Sequence, residues 1–123
     1  MAAWNTDELD RIGAAEEVRI AARRPNGRLR KPVVVWIVRV NDDVYVRSVN
    51  GRNAAWFRGV QATHEGHVLA DGVEKDVEFV DVSDDQDHID AAYRSKYARY
   101  RTIVPSILKP ETRTATLRLV PRD

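Results

Sequence analysis

Apolar residues recur along the chain in short groups of differing period, and each period implies an element. Asn5-Thr6-Asp7-Glu8 reads as a capping box, with Asn5 as N-cap and Glu8 three positions on, and Gly13 ends the short helix that follows. Glu17 to Arg23 alternates with period two, which puts Val18, Ile20 and Ala22 on one face of a strand. Pro25-Asn26-Gly27 marks a turn. From Pro32 to Val40 almost every position is apolar and β-branched residues are dense, which predicts a central strand buried on both faces. Asn41-Asp42-Asp43 reverses the chain into a strand over Val44–Val49, so these two strands pair as a hairpin.

Beyond Asn50-Gly51 the pattern turns helical. Asn53 is placed to cap a helix running to about Gln61. His64–Ala70 and Val73–Val82 predict a second hairpin across Asp71-Gly72. Ser83-Asp84-Asp85 opens a helix through about Tyr100, with acids at its start and bases towards its end, as the helix dipole favours. Ser106 to Thr114, interrupted by Pro110, predicts a loop or short turn, and Thr116–Val120 alternates as a closing strand. Six strands and three helices, mostly antiparallel, are best accommodated by a small β-barrel with helices packed outside.

Composition narrows the classes. With 123 residues the chain is expected to form one domain. Hydrophobic residues at 43% and charged ones at 32% argue for a folded globular protein. No apolar run reaches the roughly 20 residues that cross a bilayer, so no membrane association is expected. The absence of cysteine excludes disulfides, thiolate metal sites and cysteine nucleophiles. The acidic, polar start MAAWNTDELD is unlike a secretory signal, which leaves the cytoplasm as the default compartment. Net charge is only +1, yet it is unevenly spread: +4 over residues 1–60, −9 over 61–92 and +6 over 93–123. A nucleic-acid binder is more often basic throughout, so a localised positive site for a small anion fits better.

Two basic clusters are candidates for that site. Arg23, Arg24, Arg28, Arg30 and Lys31 surround the Pro25–Gly27 turn. Arg47, Ser48, Asn50 and Arg52 form the corner where a strand hands over to a helix, whose first backbone amides could add to the same pocket. Hairpin register sets Val49 near Lys31–Val35, which makes the two clusters neighbours converging on one anion. The alternative is a solvated basic loop. Trp36 and Trp56 are either core residues or aromatic walls for a flat ligand. Tyr93, Tyr97 and Tyr100 form one stripe of the last helix, read as core packing or as phenols bordering a ligand. His64 and His67, three apart on a strand, would point to opposite faces, and no metal site is expected. No nucleophile–base pair and no Gly-rich phosphate loop is visible.

Taken together, Gly27-Arg28-Leu29-Arg30-Lys31-Pro32-Val33 and the later Asn50-Gly51-Arg52 with Ala55-Trp56-Phe57 resemble the flavin-binding split-barrel superfamily, in particular its deazaflavin-dependent nitroreductases. More narrowly the chain is similar, over nearly its whole length, to an uncharacterised bacterial family, the domain of unknown function DUF 2255. The resemblance implies a six-stranded antiparallel split barrel, like flavin reductases and pyridoxamine-phosphate oxidases, that binds FMN or deazaflavin F420 at a homodimer interface. It implies that Arg28, Arg30 and Lys31, with Ser48, Asn50 and Arg52, hold the cofactor phosphate. Val33 to Trp36, including Val35, would run beside the ring, and Trp56 would close the corner. Tyr93, Tyr97 and Tyr100 would lie on the substrate side. The implied activity is hydride transfer to a small organic acceptor. The alternative is a non-catalytic module binding a cofactor or small anion on the same barrel.

Overall fold

The computed structural model describes residues 3–122. Asn5 caps α1 (Thr6–Ala14): its side chain accepts from the Glu8 amide at 2.8 Å while the Glu8 carboxylate accepts from the Asn5 amide at 3.0 Å. Seven strands follow, β1 (Val18–Ala22), β2 (Val33–Val35), β3 (Ile37–Val40), β4 (Asp43–Arg47), β5 (Glu65–Ala70), β6 (Val73–Asp81) and β7 (Thr116–Pro121). Helix α2 (Ala55–Thr63) lies between β4 and β5, and α3 (Gln86–Lys96) and the single turn α4 (Pro110–Arg113) lie between β6 and β7.

The strands pair antiparallel in the order β2-β1-β5-β6-β7-β4-β3. Both ends of that order belong to one stretch of chain, interrupted only at Trp36, so the sheet curls into a nearly closed barrel. The apolar run Pro32–Val40 is therefore two strands and not one central strand, and the barrel has seven strands where six were expected. Its first half pairs with β1 (Val18↔Val35), its second with β4 (Ile37↔Val46). Burial on both faces holds at Ile37 and Val38 but fails at Val34, which is 58% exposed. A strand that serves two neighbours in turn must bend, and its dense β-branching does not report where.

Alternate positions of every strand face the barrel interior: Val18 and Ile20, Val35, Ile37, Val44 and Val46, Val68, Val77 and Phe79, and Leu117 and Leu119. Leu9 and Ile12 of α1 and Phe57 and Val60 of α2 close this core. Gly66 is needed where β5 passes β1, because a Cβ there would lie 2.2 Å from the Ala21 carbonyl oxygen and 2.7 Å from the Phe79 ring. The opposite faces of β3 and β4 carry Val38 and Tyr45 into a second core with Ile89, Tyr93 and Tyr97 of α3 and with Val104 and Ile107.

Three other element boundaries differ from the sequence expectation. Asn53 sits in a 3-10 turn (Gly51–Asn53) and Ala54 is the N-cap of α2, with no side-chain cap. Helix α3 begins at Gln86 and ends at Lys96, with Tyr97 as C-cap, because Tyr97 and Tyr100 are drawn into tight backbone turns beyond it. The Ser106–Thr114 segment overlaps a 3-10 turn (Val104–Ile107) and contains α4. No helix among the described residues is long and apolar enough to cross a membrane.

Candidate anion and cofactor site

Beyond β1 the chain continues as a twisted extension around the Pro25–Gly27 turn. Arg23 bridges Leu29, and the Arg30 amide donates to the Ala22 carbonyl at 2.8 Å. This register returns Arg30 and Lys31 to the flank of β1, beside Arg24, where α2 packs with Ala55 and Trp56. Between them lies a cavity of about 260 Å³ lined by Ile20, Ala22, Arg24, Arg30, Lys31, Val33, Ala55 and Trp56. Among the described residues three cations and no carboxylate line it, beside an apolar floor. That is an anion-attracting wall with room for a hydrophobic body.

Two details make the wall specific. The Arg30 Nε atom is buried and has no hydrogen-bond partner among the described residues. A buried guanidine N–H left unpaired costs on the order of 1–3 kcal/mol, so it is a donor in need of an acceptor. Gly59 on α2 makes the space for it: a Cβ there would lie 2.9 Å from both Cδ and Nε of Arg30. The first turn of α2, to which Ala55 and Trp56 belong, carries no side-chain cap, so its amides remain available to a negative group.

The second basic cluster does not join this wall. Arg47 is buried, 1% exposed, and its guanidinium is fully occupied. It pairs with Asp90 at 2.5 Å and also donates to Thr116 Oγ1, the Ile107 carbonyl and Gln86 Oε1. Arg52 donates to the Thr114 carbonyl at 2.8 Å and lies over the Phe57 ring. It lines a different hollow, with Arg113 and Gln86, so the convergence of Arg30 and Arg52 on one anion is not found within the chain. The reason is local: the 3-10 turn after Ser48 carries Arg52 towards α4. Ser48 is buried with its hydroxyl unpartnered, whereas Asn50 and Arg28 are exposed to solvent.

The aromatic residues divide in the same way. Val33 and Trp56 line the cavity and Val35 enters the barrel core. Trp36 turns to the other side and stacks on Tyr97, with ring centroids 4.1 Å apart and planes within 3°. The Tyr93 hydroxyl donates to the Trp36 carbonyl at 2.6 Å and accepts from the Arg47 amide at 3.0 Å. The Tyr97 hydroxyl donates to the Ile37 carbonyl at 3.0 Å. Both phenols thus hold the backbone at the break between β2 and β3, and burial raises both pKa values far above the usual phenol range. Of the three tyrosines only Tyr100 is partly exposed. His67 is clamped between Asp76 and Glu74, at 3.0 Å each, while His64 terminates α2 in a left-handed conformation.

Some contributors escaped the sequence reading. Ile20 and Ala22 look like ordinary core alternation, and Gly59 looks like a helix residue. Their part in the cavity depends on α2 crossing β1, for which the only trace is a glycine in mid-helix.

A nearly closed antiparallel barrel with α-helices packed outside is the split barrel of the pyridoxamine-phosphate-oxidase type, and known structures share it. HutZ, the heme storage protein from Vibrio cholerae, superposes with a TM-score of 0.65 at 13% identity, over 96% of this chain and 90% of that one. An F420-H2 dependent reductase (FDR-A) gives 0.61 at 14% identity, over 85% and 93%. A putative pyridoxamine 5'-phosphate oxidase from Listeria innocua gives 0.61 at 11% identity, over 94% and 90%. At such identities the likeness is one of fold. The chain belongs to the DUF2255 family, described as an uncharacterized protein conserved in bacteria, which matches residues 8–119. Among curated proteins none matches it.

Proposed function

We propose that the Arg24–Arg30–Lys31 cavity seats the phosphate of FMN or deazaflavin F420, and that the protein is a homodimeric reductase passing a hydride to a small organic acceptor. The observation that carries this reading is the cationic wall without a carboxylate, holding a buried, unpartnered Arg30 Nε beside an apolar floor. The residues present suit a phosphate on an aromatic body: Arg30 and Lys31 supply charge, the first turn of α2 supplies amides, and Val33 and Trp56 supply flat apolar surface. The redox chemistry itself would come from the cofactor, which is why no catalytic dyad is required of the chain. Leu29 and Val34, exposed on either side of Arg30–Val33, are the surface a second copy would cover. The F420-dependent reductase that shares the fold supports the choice of cofactor class.

Titration with FMN and with F420, followed by tryptophan fluorescence, tests the proposal. Saturable binding tighter than about 100 μM, roughly −5.5 kcal/mol, is the expected result. Arg30→Ala is expected to weaken it more than about tenfold, or 1.4 kcal/mol. Absence of binding to either compound would refute the assignment.

A second reading rests on the size of the cavity. About 260 Å³ within one protomer is below the roughly 300–1,000 Å³ usual for a whole drug-sized ligand. A module that binds a small anion or cofactor without turnover would show capture of the ligand and no transfer to quinones, nitroaromatics or oxygen.

A further inference from the structure

On the far side of β3 a second hollow, about 470 Å³, lies between α1, α3 and β3. Its apolar wall is Leu9, Val38 and Ala92, and its polar wall is Asp10, Arg39 and Lys96. Lys96 is the unusual member. Its ammonium donates to the Ile37 carbonyl at 2.6 Å and to the Ile12 carbonyl at 3.3 Å. Both acceptors are neutral, and no carboxylate among the described residues is paired with it. An ammonium has three donors; besides these two carbonyls it has only the face of the Tyr97 ring, 5.1 Å away, so no anion among the described residues meets its charge.

Neutral acceptors only partly offset the cost of removing a cation from water. Ile12 lies in the last turn of α1, where the helix dipole favours a positive charge, and that explains one of the two bonds. It does not explain a cation that lines an open hollow without a counter-ion among the described residues. Burial accordingly pushes the Lys96 amine down to about 8.

Arg39 completes the charge pattern. Its Nε donates to the Asn41 carbonyl at 2.7 Å and its Nη1 to Asp10 at 2.8 Å, which leaves Nη2 without an acceptor among the described residues. Two cations against one carboxylate leave the hollow with one positive charge in excess. A monoanion balances it, whereas a polyanion would meet Asp10.

From this geometry we infer that the α1–α3–β3 hollow binds a small aliphatic carboxylate, its carboxylate group taken by Lys96 and Arg39 and its hydrocarbon tail lying on Leu9, Val38 and Ala92. The site is separate from the cationic cavity at α2 and does not depend on the cofactor assignment.

The probe is butyrate, titrated at constant ionic strength against chloride. Lys96 is one of only four lysines, with Lys31, Lys75 and Lys109, so its side-chain ammonium signal in 15N NMR is identified by its loss in Lys96→Arg. The expected result is a saturable shift of the Lys96 signal with butyrate, while the other three respond to salt alone. The melting temperature of the wild type should also rise with butyrate, and this rise should be absent in Lys96→Met and reduced in Arg39→Met. A Lys96 signal that stays still up to about 50 mM butyrate, or moves in parallel with the other lysines, would overturn the inference. So would an undiminished rise in Lys96→Met. Should Lys96→Met fail to fold, the wild-type NMR titration decides alone, because a lysine that only staples α1 to β3 does not respond to butyrate.

Discussion

The two arginines that flank the β2–β3–β4 region, Arg47 and Arg30, are treated in opposite ways by the fold. Arg47 is enclosed by α3, the Val104–Ile107 turn and β7, and its guanidinium meets Asp90, Thr116, Gln86 and the Ile107 carbonyl. Arg30 lies against α2 with its Nε buried and no acceptor, in a wall it shares with two further cations. A saturated guanidinium is a structural device, because every donor is spent inside the protein. An unsaturated one beside an opening has affinity to offer. Equal charge and similar position in sequence thus lead to different roles, and the number of satisfied donors is what separates them.

The sharpest way to break this contrast is to remove each arginine in turn and compare stability. Arg47→Ala leaves the buried Asp90 carboxylate with only the partly exposed Arg113 as a charged partner and removes the bonds to Thr116 and the Ile107 carbonyl. It should cost about 3–5 kcal/mol in urea unfolding. Arg30→Ala removes an unsatisfied buried donor together with the packing of its stem on α2, and these opposing changes should leave stability within about 1 kcal/mol of wild type. Equal losses in the two variants would dissolve the distinction.

Next in size are the phenols that support the Arg47 side. Tyr93→Phe leaves the Trp36 carbonyl and the Arg47 amide without their shared partner. It should destabilise the protein by about 1–3 kcal/mol, measured by thermal melting, with no change in ligand affinity.

Gly59→Ala probes the Arg30 side without touching a charge. The new Cβ would press on Cδ and Nε of Arg30 at 2.9 Å and displace its guanidinium. Affinity for FMN or F420 should fall by several-fold to about tenfold. Circular dichroism should remain that of the wild type, since alanine suits a helix interior better than glycine. An unchanged affinity would show that the guanidinium works from another position.

The smallest effect concerns His67 on β5, which pairs with neither arginine. Burial lowers its pKa, but hydrogen bonds to Asp76 and Glu74 outweigh that and raise it above 6.5. A raised folded-state value means the stabilisation is complete below pH 6.5 and is lost as pH rises through the folded pKa. His67→Gln should flatten that part of the stability–pH curve, as followed by melting temperature.

Several elements were legible from local pattern. The Asn5–Glu8 capping box, the Asn41–Asp43 reversal and the Asp71-Gly72 hairpin all stand where the residues place them. The basic turn before β2 also survives as one wall of the cavity. The break at Trp36 was not legible, because the residues on either side are equally apolar and only their choice of partner strand differs. Arg52 was assigned by its nearness to the corner, yet its direction is decided by the Thr114 carbonyl, 62 residues away in sequence. Of the expected tyrosine stripe only Tyr93 lies within α3, with Tyr97 as its C-cap and Tyr100 beyond it, and the stacking of Tyr97 on Trp36 required knowing which face of the strand α3 covers.

Periodicity, capping and turn chemistry act over a few residues, so the amino-acid order alone specified three of the helices, most strands and the antiparallel barrel, though not all of their ends. Whether a given arginine is spent or available depends on acceptors supplied from distant segments, as Asp90 is for Arg47. Hydrogen-bond satisfaction is a property of the packed state, and it was settled only when α2 and α3 closed over opposite sides of the barrel.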